Sequence, residues 1–192
     1  QESADSASRI RQVSNEVIQA VEELATASQQ MITFVDETTM GGFQQLQQTA
    51  YDYKEDIQNK LGFTVHQFLT FASVVERESL FEEDRPMIAG VFLNRLEAGM
   101  GLQSDITVLY AIGESHVDVS IAETQVDSPY NTYKNAGLPI GPVCAVPART
   151  MEDCINYEES DYFFFFATED GDVLYTKTYK EHQKVVEENK WY

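Results

Sequence analysis

Phe71-Ala72-Ser73-Val74-Val75-Glu76-Arg77-Glu78-Ser79 places two carboxylates at the end of an otherwise apolar, helix-like run. At about 100° per residue, Phe68, Phe71, Ala72, Val75 and Leu80 centre on one stripe. Glu76 and Glu78 then fall about 80° to either side of it, while Arg77 points away. Each glutamate stands at the edge of a buried face. A carboxyl group there loses part of its hydration, which favours its neutral form and lifts its pKa towards the range in which a general acid operates. The same geometry also describes two solvated flank residues of an amphipathic helix. Spacing alone does not choose between Glu76 and Glu78.

Outward from this run, the punctuation of the chain predicts a series of short elements. Residues 64–80 read as a helix with Thr64 as N-cap. Residues 85–98 read as a second helix, opened by Pro86 and closed by Gly99. Residues 104–112 and 121–125 suit two further short helices, and Pro129, Gly137, Pro139, Gly141, Pro142 and Pro147 mark a long loop region of the kind that carries function in a compact domain. After a helix at 150–156, Tyr162-Phe163-Phe164-Phe165-Phe166-Ala167-Thr168 reads as a buried strand. Glu169-Asp170-Gly171-Asp172 is then a tight turn into a returning strand at 173–178, and a last helix lies around 182–188. The fold class is α+β: a mixed helical domain with a small antiparallel sheet.

Residues 1–60 differ from the remainder, 61–192. Val17, Val21, Leu24, Ser28, Met31 and Val35 recur at alternating steps of four and three, as in a helix packed along a seam. Gly41-Gly42 interrupts the pattern, and Phe43, Leu46, Ala50, Tyr53 and Ile57 resume it, so a helical hairpin is expected. Helix-mediated self-association would follow from such a seam. Within residues 9–37, Asn15 to Ala25 and Gln29 to Val35 resemble a signalling helix of bacterial chemotaxis receptors.

Four blocks then follow in order: Glu83-Asp84-Arg85-Pro86-Met87-Ile88-Ala89-Gly90-Val91-Phe92-Leu93-Asn94-Arg95-Leu96; Gly99-Met100-Gly101-Leu102-Gln103-Ser104-Asp105; Ser128-Pro129-Tyr130-Asn131-Thr132-Tyr133; and Gly137-Leu138-Pro139-Ile140-Gly141-Pro142. With Tyr175-Thr176-Lys177-Thr178-Tyr179-Lys180-Glu181-His182, they resemble the catalytic domain of the endolytic murein transglycosylases, the MltG or YceG-like family, over residues 62–186. In that family the second glutamate of the "ASxxExE" block is catalytic, so the resemblance, and not the geometry, selects Glu78 as acid and base. It implies cleavage of the β-1,4 bond between N-acetylmuramic acid and N-acetylglucosamine in peptidoglycan glycan strands, leaving 1,6-anhydromuramyl ends, with no metal or organic cofactor. Candidate sugar contacts are Asn94, Gln103, Ser104 and Asp105, with Tyr130, Asn131 and Tyr133 on the long loop. Glu76 is a further site candidate, orienting Arg85 or helping to hold Glu78 protonated. Each has a structural alternative: Asn131 as a turn cap, Tyr133 as core, Asp105 as an N-cap. Ile106 stands where the family pattern has a proline, Val143-Cys144-Ala145-Val146-Pro147 departs from an expected "I-A-N-P"-like run, and Tyr157 also replaces a proline.

Members of that family are anchored by one N-terminal membrane helix with the catalytic domain on the extracytoplasmic face. This sequence has no run of about twenty apolar residues and no signal-peptide pattern, so a soluble piece without that anchor is expected. Cell-wall synthases are possible partners by the same resemblance. The formal charge of −19, from 32 acidic and 13 basic residues, excludes a nucleic-acid binder, which needs a basic surface for phosphate. Peptidoglycan also carries carboxylates, so affinity for it must come from local hydrogen bonds and stacking. Cys144 and Cys154 could form one bridge or remain two buried thiols. His66, His116 and His182 show no metal-ligand spacing and read as structural or surface residues. Against the enzyme stand two other classes, a non-catalytic peptidoglycan-binding module and a coiled-coil scaffold.

Overall fold

A computed structural model of the chain describes residues 53–116 and 119–190, together with isolated positions between residues 26 and 51. The chain divides into two compact units, residues 1–45 and 46–192. Most of the predicted N-terminal hairpin lies outside the described residues. Gly41 and Gly42, read from the sequence as its break, are themselves helical. A glycine costs a helix only about 1 kcal/mol relative to alanine, too little to force a turn.

In the second unit one α-helical turn, Lys54–Asp56, runs into a π-helical turn, Ile57–Leu61. Gly62, at φ +68°, ends it in the left-handed region. Ile57 is fully buried, and the Tyr53 hydroxyl donates to Glu152 at 3.0 Å, so this lead-in is tied to the body that follows. Helix α1, Val65–Glu78, starts at Thr64 with a full capping box in which Thr64 and Gln67 satisfy each other's orphan backbone N–H groups. It is buried on more than one stripe: Phe68, Thr70, Phe71, Ala72, Ser73, Val74 and Val75 are all enclosed. The Ser73 hydroxyl repays its burial by donating to the Thr70 carbonyl at 2.7 Å and accepting from the Val143 N–H at 2.9 Å.

The helix stops at Glu78, two residues before the expected end. Ser79 is extended at ψ 123°, and Leu80, placed on the apolar stripe by its spacing, is 66% exposed. Glu78 thus occupies the last helical position. Helix α2, Arg85–Glu97, carries Pro86 in its first turn and is followed by Gly99 at φ +67°. Helix α3 is Asp105–Ile112 and helix α4 is Ala148–Ile155. Residues 121–125 form only a 3-10 turn, Glu123–Gln125.

Helices α1, α2 and α4 pack on one another around Phe68, Phe71, Val75, Ile88, Phe92, Met151 and Ile155. Strand β1, Phe164–Ala167, pairs antiparallel with β2, Val173–Thr176, with Phe164 opposite Thr176 and Ala167 opposite Val173. The aromatic strand is half-buried; only Phe166 within it is buried. Helix α5, Tyr179–Asn189, opens on a second capping box, Thr178 with Glu181, and lies against both strands. The architecture is α+β, with a two-stranded sheet beside a helical core.

Candidate active site

The end of α1 meets the start of α3, and that junction holds Glu78. Ser104 precedes α3 in extended conformation but makes no capping bond to its own helix. Its hydroxyl donates instead to Glu78 Oε1 in a short hydrogen bond. Ser104 is itself fixed: its N–H donates to Thr132 Oγ1 at 3.1 Å, and its carbonyl accepts from the Thr107 hydroxyl at 2.7 Å. Burial pushes the Glu78 pKa up from 4.5 to about 7. The Ser104 hydroxyl opposes that rise, neighbouring Asp105 adds to it, and the Ile106 backbone N–H and Arg77 oppose it in turn. Near neutrality the carboxyl is therefore poised between its two protonation states.

Glu78 opens onto a cavity of about 490 Å³, within the size range of small-molecule sites. Of the residues singled out from the sequence, Gln103, Ser104, Asp105 and Tyr133 line it with Glu78. Tyr133 donates its hydroxyl to Asp105 Oδ1 at 2.5 Å; burial and this bond raise its pKa, so the phenol keeps its proton. Gln103 adopts φ +50°, an uncommon value for a non-glycine residue. Its N–H donates to the Thr132 carbonyl at 3.2 Å, and its Oε1 accepts from Arg95 Nη2 at 2.6 Å.

Four other candidates lie elsewhere. Glu76 turns to the opposite side of α1, where it pairs with Arg85 at 3.0 Å and accepts from the Thr150 hydroxyl at 2.5 Å. Asn94 spends its amide on the carbonyls of Ser160, at 2.8 Å, and Tyr162, at 2.9 Å, joining α2 to the approach to β1. Asn131 is fully buried: it donates to the carbonyls of Thr124 and Val126 and accepts from the Tyr133 N–H at 2.9 Å, so it holds the loop that presents Tyr133. Tyr130 packs its ring on Tyr110, with centroids 4.8 Å apart.

The remaining wall comes from residues that spacing did not single out. Arg95 is buried. It donates to the carbonyls of Gly101 and Phe163, both at 3.0 Å, as well as to Gln103, so it ties three segments of chain together beside the cavity. Phe164 lies under the Arg95 guanidinium, 5.3 Å from its ring centroid. His182, expected to be structural or on the surface, stacks on Phe164 at 5.3 Å and lines the cavity; burial and Arg95 lower its pKa. Arg95 and His182 both sit inside quoted sequence blocks, and that was the only available signal. Their convergence depends on the sheet returning α5 to the mouth of the site.

A sequence profile of the YceG-like family matches residues 12–188 and so extends over most of the N-terminal segment, which carries none of the blocks quoted above. A Bacillus subtilis (strain 168) protein named endolytic murein transglycosylase is 44% identical over 136 residues, covering 70% of this chain and 37% of that protein. A protein of the same name from Streptococcus pneumoniae serotype 2 (strain D39) is 43% identical over 143 residues, covering 71% and 26%. The crystal structure of a yceG-like protein from Listeria monocytogenes superposes with a TM-score of 0.65 at 46% identity, covering 70% of this chain and 44% of that one. The chain therefore spans less than half the length of each of these relatives. With the profile matched along nearly its whole length, the chain belongs to the YceG-like family.

Proposed function

We propose that residues 61–192 form a peptidoglycan lytic transglycosylase domain that cuts the muramyl–glucosaminyl bond within glycan strands, with Glu78 as the single acid and base. The observation that carries this reading is a carboxyl group poised near pH 7 in a cavity whose other walls are aromatic and hydrogen-bonding. Protonated Glu78 donates to the glycosidic oxygen as the bond to C1 breaks. Its anion, stabilised by the Ser104 hydroxyl, then takes the proton of the C6 hydroxyl as that oxygen closes on C1. The proton count balances, and the new end is a 1,6-anhydro sugar. Gln103 and Tyr133, on the cavity wall, hold acetamido and hydroxyl groups of the sugar. Glu76, Asn94, Tyr130 and Asn131 support the framework around the site.

Asp105 favours a second reading, because it is the one other carboxylate that lines the cavity among the described residues. Two carboxyl groups flanking a glycosidic bond are the equipment of a hydrolase. Mass analysis of digested sacculi separates the two: anhydromuramyl ends support the lytic reaction, and reducing ends overturn it. Glu78→Gln should abolish product, whereas Glu76→Gln should leave most of it. The substrate puts the working domain on the extracytoplasmic face of the cell. Among the described residues no helix is long and apolar enough to cross a membrane. Association with cell-wall synthases, and self-association through the N-terminal heptads, extend the same proposal.

A further inference from the structure

A second cavity, of about 310 Å³, holds none of the side chains set against the sugar above, although Arg77 and the Ile106 N–H on its wall help to tune Glu78. Arg77 and Ile106 line it, while Glu78, Ser104 and Asp105 line the first. Residues adjacent in the chain are about 3.8 Å apart at Cα, and neighbours on a helix diverge by about 100°. The two cavities therefore flank the same junction, the end of α1 against the start of α3.

The lining of the second cavity is mixed. Leu109 and Val143 give a buried apolar floor, and Tyr110, 48% exposed, gives an aromatic edge. Two charges of opposite sign, Arg77 and Glu114, are both exposed at its rim. Among the described residues neither has an ion-pair partner within 4.0 Å. An unpaired arginine is conspicuous in a chain with 32 acidic and 13 basic residues, where a carboxylate partner is easily found.

We propose that this cavity is a subsite for the peptide stem of the muramyl residue, with Arg77 receiving a stem carboxylate and Glu114 a stem amine. This rests on the transglycosylase reading above. In murein the stem hangs from the same pyranose ring whose C1 is attacked, so a sugar seated at Glu78 carries its peptide within reach of the neighbouring face. A short peptide of small apolar residues bearing both a free carboxylate and an amine matches an apolar floor with a cation and an anion at its rim. The match supplies the local attraction that a chain of net charge −19 lacks towards an acidic polymer.

The test uses a muramyl pentapeptide monosaccharide, which has no glycosidic bond to cleave and so reports binding by the active wild-type protein. In ¹⁵N-resolved NMR, the expected result is shifts centred on Ile106, Leu109, Tyr110 and Gly113. Affinity should fall about fivefold in Arg77→Gln, the scale of a solvent-accessible ion pair, and by a similar factor in Glu114→Gln with the amine-bearing stem. No shifts, shifts confined to other regions, or affinity unchanged in both variants would overturn the subsite. In parallel, the preference for stem-bearing over amidase-stripped strands should drop about fivefold in Arg77→Gln. Strands cut without peptide binding at this face would sink the subsite alone. Peptide binding without anhydro products would sink the catalytic reading alone.

Discussion

Replacing Glu78 with Gln should abolish activity and at the same time stabilise the protein, by an amount that depends on pH. The carboxyl has a pKa of about 7 in the folded chain against 4.5 as its ordinary value. Below pH 4.5 it is neutral in both folded and unfolded chains and contributes no difference. Between the two values the folded chain holds the extra proton, so stability falls as pH rises, and above about 7 the full penalty applies. Each tenfold change in proton affinity is worth about 1.4 kcal/mol, so the penalty approaches about 3 kcal/mol at pH 8. Gln has nearly the same shape, can still accept from Ser104, and never ionises. Urea denaturation of both proteins at pH 4 and pH 8 measures the effect, and the pH 4 difference subtracts any cost of fitting the amide. The advantage of Glu78→Gln at pH 8 should exceed that at pH 4 by about 2–3 kcal/mol, a Tm gain of roughly 4–12 °C for a chain of this size. A pH-independent difference, or a wild type that gains on the variant as pH rises, would refute the idea that burial dominates at this carboxyl.

Four further outcomes are expected. On soluble glycan strands, kcat/KM should fall about tenfold per pH unit above about 7 as Glu78 loses its proton. Ile106→Pro removes a backbone N–H that favours the anion, and should move that limb to higher pH; a limb that stays put would exclude the amide from the tuning. Gly90→Ala should cost about 2–3 kcal/mol in denaturant titration, because its Cβ would lie 2.2 Å from the Glu158 carbonyl oxygen, and a neutral result would show that the loop yields freely. Both cysteines are free: in thiol titration Cys144 should react in the folded protein and buried Cys154 only on unfolding, so two equally fast thiols would contradict the packing.

Much of the fold was legible because its boundaries are written in local chemistry. Thr64, Pro86 and Gly99 mark helix ends through capping and backbone freedom that do not depend on the rest of the chain. Leu80 misled because helical periodicity continues in sequence where the backbone does not, and nothing local announces that Ser79 turns extended. For the site, periodicity placed Glu76 and Glu78 on opposite edges of α1, and they diverge as expected, one to Arg85 and Thr150 and the other to Ser104. Family likeness was needed to prefer Glu78, since the difference between the two lies in long-range neighbours. Asn94 and Asn131 looked like sugar ligands because buried and binding amides have the same chemistry; only the positions of the Ser160, Tyr162, Thr124 and Val126 carbonyls show that their donors are spent. Arg95 and His182 were missed for the converse reason, being more than eighty residues apart until the sheet folds back.

Ser104 gives its hydroxyl to Glu78 and leaves the first turn of α3 without the side-chain cap that a serine at that position ordinarily supplies. One small group is therefore committed to the carboxyl at the expense of the backbone next to it. If Glu78 works as the proposed acid and base, each loss and recovery of its proton changes its bond to Ser104, and the first turn of α3 should respond in step. Amide exchange at Ile106 and Thr107 should follow the titration of a side chain twenty-six residues upstream of Ser104, a record of the proton's whereabouts kept by the main chain itself.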